Sequence, residues 1–345
     1  MTQPNRRRER GTVAAITRRR ALTLVAAAAG LSLLGPAASR AAPKPVRWTG
    51  TALGADASLA IYHPDEREAR RLIVSAREEI ARLEAVFSLY RADSALSRLN
   101  RAGYLDAPPL DLVTLLARAR WWSERTGGAF DVTVQPLWRM YAEHFAAPGA
   151  DPGGPPCRAI EAARALVDYR AVDIAAHRVA FARPGMAVTL NGIAQGYITD
   201  RVADLLRAQG LAHVLIDLGE LRALGTRPDG DPWRVGLADP LRPGGLVDTL
   251  DVMDRAVATS AVTGTRFDPA GRHHHVFDPR RGRPGDGLLS ASVVAPRATD
   301  ADALSTALLA DAALLGRVKA AQGLPVDRIL AVAAGSAVHR VEVIG

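Results

Sequence analysis

Asp302 and Thr306 stand four residues apart in this 345-residue chain. On a helix that spacing places a carboxylate and a hydroxyl on one face, one turn apart. Together they offer hard oxygens suited to Mg²⁺, leaving positions for water, a backbone carbonyl and a substrate phosphate. Capping acids at a solvated helix start would produce the same pattern. A second element is Leu190-Asn191-Gly192-Ile193-Ala194-Gln195-Gly196-Tyr197. A short alternating run, Val188 and Leu190, enters two glycines, and a helix with apolar positions Ile198, Val202, Leu205 and Leu206 leaves them before Gly210. Such a turn can hold an anion on free helix N–H groups. It can equally use glycine only to avoid a clash, and it matches neither a GxGxxG nor a P-loop pattern.

Three further clusters carry reactive side chains. Gly128-Ala129-Phe130-Asp131 could stack on a ring and hydrogen-bond its edge, or be a helix-ending glycine followed by a core aromatic. Asp217-Leu218-Gly219-Glu220 ends a strand and says little. His273-His274-His275-Val276-Phe277-Asp278-Pro279 invites a metal reading. On a strand only His273 and His275 share a face, and no other His/Cys cluster completes a zinc shell. A single histidine at a pocket mouth, acting in acid/base chemistry or on phosphate, is the better reading.

The elements that must position these groups read as follows. Ala52–Tyr62 is a strand, and Pro64–Leu89 is an amphipathic helix with Ala69, Leu72, Ile73, Ala76, Ile80, Leu83 and Phe87 inward. A polar segment with Ser/Asp capping chemistry spans 90–100. Helices follow over 111–125 and 160–167, separated by a strand-like 132–137 and a Pro/Gly loop at 146–157. Strands are expected at 171–174, 178–181, 214–218, 233–237, 247–252, 273–277, 290–295, 329–333 and 338–344, with a helix over 300–315. No fixed-period repeat is present. Strands and helices without strict alternation indicate an α+β fold.

The net charge of +8 is unevenly placed. Residues 1–41 hold eight arginines and one acid, Glu9, a net of +7, which leaves 8 − 7 = +1 for the rest. The basic excess belongs to the leader, so it gives no support to nucleic-acid binding. Arg18-Arg19-Arg20, the apolar run Ala21–Leu34 and the small residues near Ser39-Arg40-Ala41 form a twin-arginine export pattern. The expected division is a signal peptide at 1–41 and one domain at 42–345, in the periplasm and not integral to a membrane once processed. The apolar run is too short and alanine-rich for a span. Cys157 is the only cysteine, so no disulfide forms within the chain.

In order, Tyr90-Arg91-Ala92-Asp93-Ser94, Gly128–Asp131, Gly192–Tyr197, Trp233-Arg234-Val235-Gly236, Ala258-Thr259-Ser260, His275–Pro279 with Gly282, and Ala301–Thr306 resemble the ApbE family of FAD:protein FMN transferases over residues 48–325. The wording around Leu190–Tyr197 looks closest to its NosX-like members, which serve maturation of the nitrous oxide reductase system. The resemblance implies a single large mixed α/β domain, T-fold-like, with mixed sheets flanked by helices. It implies Mg²⁺-dependent transfer of FMN from FAD to a Thr or Ser hydroxyl of a partner flavoprotein, here a membrane-bound NosR-like protein, with AMP released. By position, Asp302 and Thr306 would bind Mg²⁺ through side chains and Gly192 through its carbonyl. His275 would be the catalytic residue, acting in acid/base chemistry or in phosphate contact. Leu53, Tyr90, Ala129, Phe130, Asp131, Thr189, Gln195 and Val276 would hold the flavin nucleotide. The chain departs from the family at Thr189 (usually Asp), Gln195 (often Lys or Glu), Glu220 and Ala261 (both usually Gly), and the NosX-like members share several of these changes. A flavin-holding chaperone and an FAD pyrophosphatase of the same fold are the rival readings.

Overall fold

The computed structural model describes residues 44–320, 323–335 and 337–343. The proposed signal peptide, residues 1–41, and Ile344 lie outside the described residues. The helices are α1 Glu66–Phe87, α2 Ala95–Ala102, α3 Leu110–Arg125, α4 Gln135–Ala146, α5 Cys157–Arg164, α6 Ala194–Ala208, α7 Ala298–Ala310 and α8 Leu314–Ala320. The strands are β1 Val46–Ala52, β2 Ala55–Ile61, β3 Tyr104–Asp106, β4 Val172–Ile174, β5 Arg178–Phe181, β6 Val214–Asp217, β7 Leu221–Leu224, β8 Trp233–Ala238, β9 Leu246–Val252, β10 Ala256–Ala261, β11 Phe277–Asp278, β12 Arg283–Pro284, β13 Leu288–Ala295, β14 Arg328–Ala333 and β15 Val338–Glu342.

Eight of these strands form one sheet in the order β1-β2-β6-β7-β10-β13-β14-β15, each neighbouring pair antiparallel. Period-two alternation sorts its side chains onto two faces. Val214, Ile216, Ala258, Ile329 and Ala331 enter the main core, beside helices α1, α6 and α7. Leu221, Ala223, Val257, Leu330 and Val332 point the other way, onto the β8–β9 hairpin with Trp233, Val235 and Leu250. A third, smaller core joins α4 and α5 to β11 through Leu137, Tyr141, Ile160 and Phe277. The fold is a mixed α/β single domain, as the pattern of elements indicates.

Helix α1 follows its periodicity closely. Every inward residue expected for it is buried, each large aliphatic among them contributing about 1.5–3 kcal/mol. Asp65 caps it by accepting from Arg67 N and Glu68 N. Helix α7 has almost no polar face: twelve of its residues, from Ala298 to Ala310, are buried, including Thr299, Asp300, Asp302 and Ser305. A helix buried all round is a core element, so its acids do not stand at a solvated helix start.

Several expected elements differ. The strand read as Ala52–Tyr62 is the end of one strand and the whole of the next, divided at Leu53-Gly54. Both turn residues have positive φ (47° and 77°), the twist that a two-residue hairpin turn demands. Residues 132–137, rich in β-branched side chains, form a 3₁₀ turn and then enter α4, with Pro136 in the helix's first turn, where its missing N–H costs nothing. The polar segment after Tyr90 becomes α2, capped by Ser94. The expected strand over 273–277 shrinks to a single bridge at His274 and the short β11. The helix expected to reach 315 ends at Ala310 and restarts at Leu314.

Candidate functional site

One end of α7 and the turn before α6 are held together by glycine. A Cβ built on Gly192 would stand 2.9 Å from both Oγ1 and Cγ2 of Thr306. A Cβ on Gly196 would overlap the Ala298 carbonyl oxygen. The two glycines therefore let the backbone entering α6 lie directly against α7 at points two turns apart. The Gly196 N–H donates to Asp302 Oδ2 at 3.1 Å, so this amide is committed to a carboxylate of the chain itself.

The start of α7 has no side-chain cap of its own. Asp200 of α6 supplies one. It accepts from Ala298 N and Thr299 N, each at 2.9 Å, and from Thr299 Oγ1 at 2.6 Å. Arg222 of β7 and Arg297 also bind it. A carboxylate at a helix N-terminus satisfies free N–H groups and complements the helix dipole. Asp300 is bound to α3, accepting from Arg118 Nε at 2.7 Å and Trp122 Nε1 at 2.9 Å. These contacts set the height and rotation of α7, and thus where Asp302 and Thr306 stand.

A cleft with about 1180 Å³ of empty space, open to solvent, is lined by Ala129, Phe130, Asp131, Thr189, Gly192, His275, Val276 and Thr306, with Trp138, Asn191, Thr259, Ser260 and Pro240. Residues chosen from four separate stretches of sequence thus meet on one surface. Leu53, Tyr90, Gln195 and Asp302 are not on its wall. Asp302 lies behind it, fully buried, one turn of α7 below Thr306. Tyr90 is 75% exposed. Leu53 sits in its hairpin turn with its N–H on Glu84 Oε1 at 2.6 Å. Gln195 is buried with neither amide atom hydrogen-bonded, its Nε2 2.5 Å from where a Gly219 Cβ would be.

The three adjacent histidines play separate parts. His274 is buried, with Nε2 2.9 Å from the Gly285 carbonyl oxygen, and burial lowers its pKa. His273 packs against Tyr141 and Phe145, and burial again lowers its pKa. Only His275 faces the cleft, its Nδ1 3.0 Å from Thr265 O and 3.2 Å from Thr265 N. Asp131 has its Oδ1 accepting from Thr133 N and Oγ1 and its Oδ2 accepting from Tyr169 N. Burial nonetheless pushes its pKa up to about 6, against these bonds.

Among the described residues no three His, Cys, Asp or Glu side chains gather as a metal group. The oxygen donors nearest one another here are of another kind: the Thr306 hydroxyl and a glycine backbone whose missing Cβ lets it approach that hydroxyl, with the Asp302 carboxylate one helical turn earlier on α7. This all-oxygen set fits a hard divalent cation and does not suit a soft one.

A family model described as the ApbE family matches residues 53–324. The chain belongs to the ApbE family. It is 36% identical over 266 residues to the FAD:protein FMN transferase of Treponema pallidum, covering 68% of this chain and 70% of that protein. It is 30% identical over 314 residues to the FAD:protein FMN transferase of Salmonella typhimurium, covering 86% and 87%. Among solved structures it resembles the ApbE protein of Thermotoga maritima, with a TM-score of 0.76 at 27% identity over 87% of this chain and 97% of that one. The flavin transferase ApbE of Vibrio cholerae gives 0.73 at 26% identity over the same shares.

Sequence reasoning assigned no role to Asp200, Trp138, Ser260 or Ser305. Asp200 reads as one more polar residue on an amphipathic helix. Its burial follows from α7 packing on α6, which no local pattern announces.

Proposed function

We propose that this chain is an FAD:protein FMN transferase that moves the FMN half of FAD onto a Thr or Ser hydroxyl of a partner flavoprotein and releases AMP. The observation that carries the reading is the cleft itself, where the Gly192 turn meets Thr306 on a surface that His275 also lines, in a chain of the ApbE family. Leu53, Tyr90, Ala129, Phe130, Asp131, Thr189, Gln195 and Val276 are assigned to the nucleotide. Phe130 and Val276 supply apolar surface, and Thr189 supplies a hydroxyl where relatives carry an acid. Leu53, Tyr90 and Gln195, which do not line the cleft, require the nucleotide to extend toward the β1–β2 turn.

In the proposed reaction the acceptor oxygen bonds to the FMN phosphorus and the pyrophosphate P–O bond breaks. AMP departs with the electron pair. The acceptor proton passes to His275. The Thr265 backbone, with O 3.0 Å and N 3.2 Å from Nδ1, holds the imidazole ring in place. Asp302 and Thr306 side chains and the Gly192 carbonyl would hold Mg²⁺, which supplies neutralisation of pyrophosphate charge. The protein's own work is orientation and exclusion of water.

We assign the acceptor to a membrane-bound NosR-like flavoprotein and the site of action to the periplasm, after twin-arginine export and removal of residues 1–41. The support is the leader pattern and the NosX-like wording of residues 190–197. The chain incubated with FAD, Mg²⁺ and an acceptor fragment bearing the target threonine should yield a fluorescent, covalently labelled fragment and one AMP per label. AMP release without labelling would instead identify a pyrophosphatase. FAD retention with neither product would identify a binding protein. Fractionation of cells making the full chain should find it, shortened, in the periplasm.

A further inference from the structure

Thr306 ends a short chain of hydroxyls whose proton directions can be worked out. Ser305 Oγ donates to the Asp302 carbonyl oxygen at 3.0 Å, an acceptor that has no proton to give. A hydroxyl carries one proton, so Ser305 can only accept in its 2.8 Å contact with Ser260 Oγ. The Ser260 proton is spent there. For all three contacts to be hydrogen bonds at once, Thr306 is the donor in the 3.3 Å contact between Ser260 Oγ and Thr306 Oγ1. The order is Thr306 to Ser260 to Ser305 to the carbonyl of Asp302.

This order has a consequence for the cleft. A helical threonine ordinarily turns its hydroxyl proton back onto the carbonyl four residues earlier. For Thr306 that carbonyl belongs to Asp302, which receives the Ser305 hydroxyl, and the Thr306 hydroxyl contacts Ser260. With its proton on Ser260 of β10, Thr306 Oγ1 keeps its lone pairs for other partners along the cleft wall that both residues line. Ser260 is placed for this by the sheet. It lies on the same face of β10 as Ala258, which packs in the helix-side core, and it is paired with Ala291 of β13, also in that core.

We infer that Ser260 is a positioning residue for cation binding: by taking the Thr306 proton it keeps the Thr306 oxygen turned, as an acceptor, toward the site shared with Gly192 and Asp302. The inference rests on the cation reading given under Proposed function. Outer groups that orient a ligand typically govern metal affinity by about 10–100-fold. Ser260→Ala should weaken the cation by about tenfold, at the lower end of that range. Ser305→Ala frees the Ser260 proton to turn toward Thr306, and should weaken the cation by a smaller factor in the same direction.

The test is Mn²⁺ titration of the FAD-saturated protein, with free Mn²⁺ read by electron paramagnetic resonance and folding checked by thermal melting. Ser292→Ala is the packing control. Ser292 is buried on the neighbouring strand and bonds Thr259 at 2.8 Å, outside the relay. The expected result is weaker Mn²⁺ binding for Ser260→Ala, an intermediate loss for Ser305→Ala, near wild-type binding for Ser292→Ala, and recovery in Ser260→Thr, which restores the oxygen. If wild type binds Mn²⁺ and Ser260→Ala binds it equally well, the positioning role is overturned while the cation site stands. Equal losses in Ser260→Ala and Ser292→Ala also overturn it, in favour of packing. If wild type itself binds no Mn²⁺, the cation site fails first and the relay with it.

Discussion

The two ends of α7 are both rich in oxygen, yet they are built in opposite ways. At the first turn every carboxylate is met by donors from the protein: Asp200 by two backbone amides, a threonine and two arginines, and Asp300 by Arg118 and Trp122. Eight residues further along, Thr306 stands on a cleft wall beside a glycine backbone, in contact with the Ser260 hydroxyl on the same wall. A buried charge surrounded by donors fixes structure, because breaking one partner strands the rest. Oxygens that converge on an open cleft leave room for a ligand from outside. Asp302 lies between these regimes, taking one backbone N–H from Gly196 on Oδ2.

The sharpest way to break this contrast is at Asp200. Asp200→Ala should cost about 3–5 kcal/mol in urea unfolding, since it strands Arg222 and uncovers two helix amides. A loss under about 1 kcal/mol would mean that the first turn is not the anchor described. Next, Asp302→Asn should slow FMN transfer by about a hundredfold or more while shifting the melting temperature little, because an amide oxygen can still accept from Gly196. Asp300→Asn should show the reverse, lowering stability with transfer nearly unchanged. Matching effects of the two on transfer would erase the distinction between the ends.

The smallest of these effects concerns Asp131, which lines the cleft although its oxygens serve Thr133 and Tyr169. Its folded-state pKa of about 6 stands above the ordinary 3.8, so the folded protein holds this proton more tightly than the unfolded chain does. The stabilisation is complete below about pH 4 and is lost as pH rises through 6, a fall of about 3 kcal/mol at most. Unfolding measured from pH 4 to 7 should show that slope in wild type and a flatter one in Asp131→Asn. Identical slopes would remove Asp131 as the cause.

Much of the frame was legible from local pattern. The inward stripe of α1 and the main sheet strands after residue 214 follow from period, because burying one face is a local demand on spacing. The elements that were misread have local signals pointing the wrong way. Val132, Thr133 and Val134 favour a strand by side-chain shape, and Pro136 identifies a helix start only once the following aromatics are known to pack against Phe277 and Phe267. The histidine run looked like a strand with alternating faces, whereas its backbone turns between Arg266 and Gly285 and sends each ring to a different neighbour.

By itself the sequence determined the α+β class, the family, the placing of the basic excess in residues 1–41, and the residues proposed for a cation and a nucleotide. Family motifs persist as short local strings, and those can be read one at a time. Only the tertiary structure decided that α7 is buried all round, which turned apparent capping acids into core groups. It also decided that Gly196 serves close packing, that His275 alone of three histidines meets the cleft, and that Thr306 meets Ser260 of β10. Each of these depends on which helix lies against which strand. That is set by burial summed over the whole core, and no spacing within α7 or the Gly192 turn records it.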